Sequence, residues 1–387
     1  MNKLAIVTTH PIQYYAPAFK LLALVCELKV FYTWGNVANG DKFDPDFGKK
    51  VDWDIPLLEG YKYEFLENKS KTPGSNHFKG IINPDLVNKI KDFKPSAILF
   101  YGWGYHSHLK AIRHFKGKIP IWFRGDSNLL DKQSVLKKAL RRIFLSWVYS
   151  HVNRAFYVGT ANKSYYKAFG LKENQLTFAP HAIDNERFSL DHTVEAVALR
   201  KKLSISTEDI LILFAGKLEH KKDPELLLEA FLKLDRPKTH LLIVGNGILE
   251  QHLKLKVARE QAEKVHFMDF QNQSQMPIVY QACDIFCLPS KGPGETWGLA
   301  VNEAMASGKA ILTSSKVGCA EDLVKPTNGC VFRSEDLDEL KCTLNLMLTS
   351  NMKTLGEASR KLINLWTFEK QINAIKSELE KIGKSSK

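Results

Sequence analysis

The 387-residue sequence lacks the features that define several common protein classes. No uninterrupted apolar run reaches the roughly 18 residues that a membrane-spanning helix needs. The first apolar run, LAIV at 4–7, is shorter than the roughly 7–15-residue core of a signal peptide, so we expect an unexported protein. Its six cysteines form no CxxC pair. This spacing argues for reduced, partly buried thiols and against a disulfide framework or a zinc site.

The glycine-rich signatures of two nucleotide-binding classes are also missing or incomplete. No P-loop is present, and the GxG formed by Gly245 and Gly247 lacks the third glycine of the dinucleotide fingerprint, so a nicotinamide-dependent dehydrogenase is weakly supported. DxD patterns occur at 44–46, 52–54 and 336–338, but none clearly follows a strand. We therefore predict no metal site and no cofactor.

Acidic residues are scarce in one part of the chain. The formal net charge is +13, and residues 101–150 hold ten Lys or Arg against two Asp or Glu, a local net charge of +8. This excess predicts an anionic partner, which is nucleic acid, acidic lipid headgroups or a phosphorylated substrate. Because no nucleic-acid recognition module accompanies the charge, we expect no nucleic acid among the partners.

Short apolar segments alternate with longer amphipathic stretches, which predicts parallel sheets joined by crossover helices. The alternation occurs twice, on either side of a predicted hinge at 178–191, so we expect an α/β protein with two doubly wound domains that face a cleft. Strands are predicted at 4–8, 28–33, 97–102, 119–123, 154–158, 210–215, 240–244, 265–268, 284–288 and 310–314. Helices are predicted at about 130–150, 224–234, 248–260, 298–307, 336–348 and 361–381.

Two domain boundaries follow from this alternation. We expect an N-terminal domain over 1–187 and a C-terminal domain over 188–365. Residues 366–387 are expected to form a helix that packs back on the first domain. In doubly wound sheets, ligands bind at the carboxyl ends of the strands, so the loops that follow the strands carry the candidate residues.

Two glutamates, Glu295 and Glu303, stand eight residues apart in GETWGLAVNEAMASG, where a loop runs into a predicted helix. Either could be an ordinary solvated carboxylate, because charged residues are mostly exposed. A helix that starts near Gly298, with Thr296 as a candidate N-cap, offers unpaired N–H groups to an anion. Glu303 would lie about 7.5 Å further along the helix axis, where it can accept hydrogen bonds from a ribose. Glu295, in the loop, would reach a sugar beyond the phosphates.

Two lysines follow an earlier strand, in the segment FAGKLEHKKDPELLLEAF at 214–231. Lys217 and Lys222 come after a tight turn at Gly216 and just before a helix that begins at Pro224, a favoured residue in a first helical turn. Two cations at the end of a strand suit a diphosphate, whose charge they stabilise both when bound and on a leaving nucleotide.

Several segments in a fixed order carry a resemblance to a known family. They are the turn Gly216-Lys217-Leu218 with Lys222, VGNG at 244–247, LPS at 288–290, the pair Glu295 and Glu303 followed by EAMASGKAIL, and Gly318 with Glu321. This series resembles the C-terminal half of glycosyltransferase family 4, a large family of retaining enzymes with the GT-B fold of two Rossmann-like domains. The resemblance is dense over about 205–325 and extends less sharply through the hinge to the region of Trp366.

The resemblance implies a role for each matched residue and a reaction that uses a nucleoside-diphosphate sugar. It places the donor diphosphate on Lys217, Lys222 and the backbone near Thr296, Gly298 and Leu299, the ribose on Glu303, and the donor sugar on Glu295. It further implies transfer with retention, usually without a metal and without a glycosyl-enzyme intermediate. Stabilisation of the leaving group would then be the main catalytic effect.

The N-terminal half departs from the family pattern. The loop THPIQYYAP at 9–17 has no glycine, so we take His10, Gln13 and Tyr14 as candidate acceptor-binding residues, although a packing or capping role is equally compatible with each. Where relatives often place a histidine near the donor sugar, WFRGDSN has Arg124, followed by Asp126. Arg124 is expected either to bind an acceptor phosphate or to pair with Asp126, and both residues are catalytic candidates.

The predicted helix at 130–150 explains most of the local basic charge. Lys137, Lys138, Arg141 and Arg142 accompany several apolar residues, and a basic amphipathic helix can lie on an anionic membrane. The alternative is a domain helix with a solvated basic face and a buried apolar face. We predict membrane contact, because the resemblance implies lipid-linked acceptors.

The sequence thus predicts a glycosyltransferase (EC 2.4) that makes a bacterial surface polysaccharide or glycolipid in the cytoplasm, at the inner face of the membrane. Two alternatives remain open: another sugar-nucleotide enzyme of the same fold, such as an epimerase, and a non-catalytic sugar-nucleotide-binding subunit.

Overall fold

The structure, a computed structural model, describes residues 2–35, 43–44, 49–50, 53–131 and 134–385. The described chain forms two compact units. The first unit comprises described residues within 1–42, 55–181 and 368–387, and the second those within 43–54 and 182–367. The chain therefore passes from the first unit to the second after His181 and returns after Thr367, whereas the sequence placed these boundaries at 187 and 365. Of the DxD patterns, 44–46 and 52–54 lie partly outside the described residues.

Strands and helices alternate along most of the described chain. The strands are β1 (Lys3–Thr8), β2 (Glu27–Tyr32), β3 (Phe43–Asp44), β4 (Lys49–Lys50), β5 (Lys62–Phe65), β6 (Ala97–Tyr101), β7 (Ile121–Arg124), β8 (Arg154–Tyr157), β9 (Leu176–Phe178), β10 (Ile210–Ala215), β11 (Thr239–Val244), β12 (Val265–Met268), β13 (Ile285–Leu288), β14 (Ala310–Ser314) and β15 (Gly329–Phe332).

The helices connect these strands and cover both faces of the main sheet in each unit. They are α1 (Ala16–Ala23), α2 (Leu86–Phe93), α3 (His106–Phe115), α4 (Val135–Tyr149), α5 (Thr160–Ala168), α6 (Asn185–Ser189), α7 (Thr193–Lys202), α8 (Pro224–Leu232), α9 (Glu250–Arg259), α10 (Met276–Ala282), α11 (Leu299–Ala306), α12 (Ala320–Leu323), α13 (Leu337–Leu348), α14 (Met352–Ile363) and α15 (Phe368–Ser385). Short 3₁₀ helices span Phe78–Gly80, Glu173–Gln175 and His220–Lys222.

The first unit contains a seven-stranded sheet in the order β5-β2-β1-β6-β7-β8-β9, with every neighbouring pair parallel. Alternate residues of its strands enter two different cores, as a pleated strand requires. In β1, Ala5 and Val7 face one core, which α2 to α5 cover, whereas Leu4 and Ile6 face the other. That second core includes residues of α1 and α15, so the C-terminal helix packs on the first unit as predicted.

The second unit contains a six-stranded parallel sheet in the order β12-β11-β10-β13-β14-β15. Its central strands are continuous apolar runs, because a parallel sheet is covered by helices on both faces. The strand order reverses between β10 and β13, which are hydrogen-bonded neighbours. The predicted α/β architecture with two parallel doubly wound sheets is confirmed.

Several predicted element boundaries were wrong. The helix predicted over 361–381 is two helices, because α14 ends at Ile363 and α15 begins at Phe368. The hinge at 178–191 contains helix α6, whose N-cap Asp184 accepts a hydrogen bond from the Arg187 N–H at 3.1 Å. The sequence also missed the edge strands β5, β9 and β15, each of which has only one neighbour in its sheet.

Candidate active site

The loops that follow β10 and β13 meet at the carboxyl edge of the second sheet, where the strand order reverses. In doubly wound sheets this crevice is the usual ligand site. The loop after β10 carries Lys217 and Lys222, and the loop after β13 carries Glu295. Residues that lie more than seventy positions apart in the sequence are thus brought to one place by strand order.

Lys222 and Glu295 are in direct contact. The Lys222 Nζ lies 2.5 Å from Oε2 of Glu295, and the Ser290 hydroxyl donates to the same oxygen at 2.8 Å. Glu295 is 8% exposed and Lys222 is half-buried. A short 3₁₀ helix, His220–Lys222, presents the lysine. The site therefore holds a cation against a buried carboxylate.

A second ion pair joins the same two loops and was not predicted. Lys291 Nζ lies 3.3 Å from Oδ1 of Asp223, and the Lys291 N–H donates to the Lys221 carbonyl at 2.9 Å. Burial raises the pKa of Asp223, although Lys291 opposes this shift. The sequence signal was the lysine in SKGPGE, directly after β13. Asp223 adopts a left-handed backbone with φ 51°, which allows helix α8 to begin immediately at Pro224.

Helix α11 begins at Leu299, with Gly298 as its N-cap in place of Thr296. Gly298 has φ 96°, and a Cβ atom there would lie 2.8 Å from the Val317 side chain. Glycine is therefore required at this position by backbone conformation and packing. The start of α11 directs its first N–H groups to the same edge of the sheet as the lysine loop.

Glu303 lies on α11 and is 3% exposed. The Tyr280 hydroxyl donates to its Oε2 at 2.8 Å. Burying a carboxylate costs free energy unless it is hydrogen-bonded. The hydrogen bond from Tyr280 therefore supports Glu303 at this buried position, where the carboxylate is also a candidate ligand-binding group. Glu295 and Glu303 are therefore both buried, and the interpretation as ordinary solvated carboxylates is wrong.

The VGNG turn after β11 supports the lysine loop through backbone packing. A Cβ atom on Gly245 would lie 2.0 Å from the Gly216 carbonyl oxygen, and one on Gly247 would lie 2.5 Å from the Leu218 carbonyl oxygen. The Leu218 N–H also donates to the Asn246 carbonyl at 2.9 Å. These glycines let two turns at the end of adjacent strands touch, which fixes the loop that carries Lys217.

The first unit contains a cavity of about 530 Å³ at the carboxyl ends of β1, β6 and β7. Its wall combines aromatic, basic and acidic side chains that come from distant parts of the sequence. Among the lining residues are Tyr15, Tyr101, Trp103, Arg124, Asp126 and Arg141. The predicted catalytic candidates Arg124 and Asp126 therefore share this cavity, whereas sequence reasoning missed its aromatic wall.

Arg124 lies at the end of β7 and is 3% exposed. Its Nη1 donates to the Ala179 carbonyl at 2.8 Å and its Nη2 to the Pro180 carbonyl at 2.9 Å. These bonds anchor the segment just before the chain leaves the first unit. The charge of Arg124 and, more strongly, burial lower the pKa of His181 to about 3. Arg124 thus has a structural role in holding this segment, which differs from both predicted roles, binding an acceptor phosphate and pairing with Asp126.

The predicted acceptor residues His10, Gln13 and Tyr14 are half-buried in the loop between β1 and α1. His10 contacts Thr9 through its Nδ1 at 2.9 Å and packs edge-on against Trp34. The cavity wall in this loop comes instead from Thr9, Ile12 and Tyr15. An acceptor role for the predicted three stays a prediction.

Helix α4 turns most of its large apolar side chains outward. Among its described residues, the exposed apolar side chains include Val135, Leu136, Leu140, Ile143, Phe144 and Trp147. Lys137, Lys138 and Arg142 are also exposed, whereas Arg141 turns toward the cavity and its Nη2 lies 3.3 Å from the Tyr165 hydroxyl. The alternative of a buried apolar face is confirmed for Leu145, Val148 and Tyr149, which are buried, and is wrong for the six exposed apolar residues.

The described residues lack two structural features. No helix among them has the length and apolar character needed to cross a bilayer. No group of three or more His, Cys, Asp or Glu side chains among them is arranged to hold a metal ion.

Comparisons with known proteins agree with this architecture. Residues 197–364 match the family model of glycosyl transferases group 1. At the level of the whole chain, the structure of Anabaena HepE in complex with UDP superposes with a TM-score of 0.76 over 98% of this chain and 100% of the other, at 16% identity. The chain has the GT-B fold. A glycosyltransferase from Rickettsia africae superposes with a TM-score of 0.72 over 98% of each chain, at 14% identity.

Curated relatives match over shorter segments. An uncharacterized glycosyltransferase of Methanocaldococcus jannaschii is 28% identical over 157 residues, which are 40% of each chain. The D-inositol 3-phosphate glycosyltransferase of Mycolicibacterium smegmatis is 26% identical over 168 residues, 42% of this chain and 38% of the relative. The N,N'-diacetylbacillosaminyl-diphospho-undecaprenol alpha-1,3-N-acetylgalactosaminyltransferase of Campylobacter jejuni is 26% identical over 241 residues, 59% of this chain and 60% of the relative. The first two of these alignments each span about two fifths of the relative's own length.

Proposed function

We propose that the protein is a retaining glycosyltransferase that takes a sugar from a nucleoside-diphosphate donor. The observation that carries the proposal is the contact between Lys222 and buried Glu295 at the strand-order reversal of the second sheet. The start of helix α11 lies in the same loop system, and this combination of a cation and helix N–H groups suits a diphosphate. The group 1 family match over 197–364 supports the same activity.

Each residue of this edge has a proposed task. Lys217 and Lys222 neutralise the donor diphosphate together with the backbone N–H groups near Thr296, Gly298 and Leu299, Glu303 binds the ribose, and Glu295 binds hydroxyls of the donor sugar. Before the donor arrives, Glu295 neutralises Lys222. When the diphosphate binds, Lys222 can exchange its carboxylate partner for a phosphate oxygen, and the Glu295 carboxylate then becomes available to the sugar.

The reaction we propose needs neither a metal nor another cofactor. Lys217, Lys222 and the start of α11 stabilise the negative charge that develops on the leaving nucleotide diphosphate, and the acceptor hydroxyl attacks from the face that the nucleotide leaves. The new bond then keeps the anomeric configuration. Retention can be checked by identifying the anomer of the product with NMR.

For the acceptor we propose a glycan or a lipid-linked sugar bound by the first unit, with Arg124 and Asp126 in its cavity as contact candidates beside His10, Gln13 and Tyr14. Support comes from the Campylobacter relative, whose name specifies a diphospho-undecaprenol substrate, and from the fold of WaaG, a glycosyltransferase involved in lipopolysaccharide biosynthesis (TM-score 0.68, 15% identity, 97% of this chain and 99% of the other). On the basis of these two similarities we propose a role in bacterial surface polysaccharide or glycolipid synthesis.

Calorimetric titration with UDP, GDP and ADP, without added metal, tests the donor site. UDP is the first choice, since HepE has been solved with UDP and glucose. We expect one nucleotide to bind, and Glu303→Ala to weaken its binding by about 1–3 kcal/mol, the effect of losing hydrogen bonds to a charged group. Unchanged affinity would remove Glu303 from the ribose site.

Two control variants separate a ribose contact from a loss of structure. Tyr280→Phe removes the internal hydrogen bond of Glu303 and keeps the carboxylate, so nucleotide affinity should be retained. Glu357→Ala removes an exposed carboxylate elsewhere in the second unit and should leave affinity unchanged. Conversion of the donor alone, by epimerisation, would instead favour the alternative sugar-nucleotide enzyme. Nucleotide binding with no turnover of any acceptor would favour the non-catalytic subunit.

Helix α4 is proposed as a peripheral anchor at the cytoplasmic face of the inner membrane. Its outward apolar side chains and its exposed lysines and arginine match the composition of helices that lie in an anionic interface. Substituting Lys137, Lys138 and Arg142 together with glutamine should reduce binding to vesicles that contain acidic lipid by about 10²-fold, at about 1 kcal/mol per cation. Flotation with vesicles measures this.

The vesicle experiment has two matched comparisons. Neutral vesicles should bind both forms of the protein weakly, because the electrostatic attraction is then absent. Glutamine at Lys341, Lys353 and Lys361 removes the same number of charges from the second unit and should leave binding to acidic vesicles unchanged. Equal binding of the α4 variant and the wild type would exclude α4 as the anchor.

A further inference from the structure

A second cavity, of about 210 Å³, lies within the second unit at the opposite edge of its sheet from the proposed donor site. Two of its lining residues fix that location. Ala282 comes shortly before the first residue of β13, and Lys309 comes directly before β14. The cavity therefore opens at the amino ends of these strands, whereas Lys222 and Glu295 lie beyond the carboxyl ends of β10 and β13.

Three cationic side chains line this cavity: Arg200 from α7, Lys309 from the turn before β14, and Arg360 from α14. Arg200 is 7% exposed, and its guanidinium donates to the Ala282 carbonyl at 2.8 Å and lies 3.2 Å from Oδ2 of Asp284. Its Nε makes no hydrogen bond within the described part of the chain. One buried donor of this arginine is therefore unmet.

Lys309 and Arg360 reach the cavity with backbone carbonyls as hydrogen-bond partners. Lys309 Nζ donates to the Gln281 carbonyl at 2.9 Å, and Arg360 Nη2 lies 3.5 Å from the Ser307 carbonyl. Neither forms an ion pair with a carboxylate among the described residues, whereas Arg200 does. Carbonyl groups supply only partial negative charge, and the carboxylates that act on these two cations do so at longer range, Asp284 on Lys309 and Asp191 on Arg360.

The three cations are close enough to repel one another. Burial lowers the pKa of Lys309, and the charges of Arg360 and Arg200 lower it further, against the opposing effect of Asp284. An anion placed among the three would reverse this repulsion, because an opposite charge within a few ångströms favours the charged lysine. Thr207 adds a hydroxyl group to the wall that can donate a hydrogen bond to the same anion, whereas the Thr193 hydroxyl already donates to Oδ1 of Asp191.

We propose that this cavity is a binding site for a phosphate-type dianion, separate from the donor site. A compact oxyanion matches three cations and the Thr207 hydroxyl, and Arg forms charge-assisted hydrogen bonds with phosphate oxygens. The phosphate group is supplied either by free inorganic phosphate or by a phosphomonoester whose remaining part extends out of the cavity. The ligand would neutralise the charge at the junction of α7, α14 and the turn before β14.

Thermal unfolding of the full chain in phosphate, with chloride at equal ionic strength as the reference, tests this proposal. We expect a saturable rise of Tm in phosphate, since a ligand that binds only the folded state stabilises it. Arg360→Gln, at an exposed position, and Lys309→Gln should each weaken the apparent phosphate affinity by about tenfold or more. Lys361→Gln, an exposed neighbour on α14, is the matched control and should behave like the wild type.

One further variant separates this site from the proposed diphosphate site. Lys222→Ala should keep the phosphate effect, and its loss in that variant would overturn the proposal by assigning phosphate to the other edge of the sheet. Equal phosphate affinity in wild type and Arg360→Gln would overturn it too, even if Lys309→Gln failed to fold. Repeating the titration with glycerol 3-phosphate distinguishes the sources, because tighter binding than that of inorganic phosphate assigns the site to a phosphomonoester.

Discussion

Replacing Lys222 with alanine is expected to lower kcat for sugar transfer by about 10²–10³-fold, the usual effect of removing one preorganised charge-stabilising group from an active site. The lysine lies 2.5 Å from Glu295 at the edge where the donor diphosphate is proposed to bind. Its charge matters most when negative charge develops on the leaving nucleotide, so kcat should fall more than KM rises. Steady-state kinetics with the nucleotide sugar that the calorimetry selects measures both.

The neighbouring lysine provides a matched control for this result. Lys221 belongs to the same 3₁₀ helix, but its Nζ pairs with Glu219 at 3.2 Å. Lys221→Ala removes an equal charge from the same turn and should change kcat less than about threefold. Equal losses in both variants would mean that the loop contributes only a general positive potential. An unchanged kcat in Lys222→Ala would remove the lysine from the reaction.

The Lys222 substitution also has a structural effect, which must be measured separately. Without Lys222, the buried Glu295 carboxylate loses its ion pair, and removing one partner of a buried ion pair is destabilising. Lys222→Ala combined with Glu295→Gln restores neutrality. Because Glu295 is itself assigned to the donor sugar, recovery of stability in this double variant identifies the structural effect only, and kcat of Lys222→Ala is compared with that of the wild type under conditions in which both are folded.

The donor edge could be predicted from the sequence because its chemistry lies in loops directly after easily recognised strands. β10 and β13 are continuous apolar runs, and parallel topology brings the loops at their carboxyl ends together. Spacing could not reveal that Lys291 would pair with Asp223, since the orientation of each side chain depends on how the two loops fold against each other.

The first unit was harder to predict because its cavity is built from distant segments. Tyr15 and Tyr101 come from different loops and strands, and no local pattern relates them. Arg124 is satisfied by the carbonyls of Ala179 and Pro180, more than fifty positions further along the chain. In α4, periodicity predicted the helix but could not decide whether its apolar residues face the core or solvent, because both arrangements have the same period.

Mild acid should destabilise the first unit through its buried histidines. Burial lowers the pKa of His108 to about 4, although a hydrogen bond to the Gly102 carbonyl opposes this shift. In the unfolded chain a histidine titrates near 6.5. Between these values the unfolded state binds a proton that the folded state does not, so the free energy of unfolding should fall as the pH drops from about 6.5 to about 4. His108 alone accounts for a loss of about 3 kcal/mol, and its contribution is fully present above pH 6.5.

His108→Gln tests this origin of the acid sensitivity through the slope of stability against pH. The variant loses the contact of the histidine Nε2 with the Thr33 hydroxyl at 2.8 Å, so it should be less stable at pH 7.5, but its difference from the wild type should shrink as the pH approaches 4.5. Chemical denaturation at a series of pH values measures both slopes. His220→Gln, at an exposed position, should have the same slope of stability against pH as the wild type.

Protonation of His108 should also disturb the cavity wall, because Gly102 and Thr8 line the cavity and the Thr33 hydroxyl donates to the Thr8 carbonyl. Acceptor binding should therefore weaken over the same pH range. A His108→Gln slope identical to that of the wild type would assign the acid sensitivity to other groups.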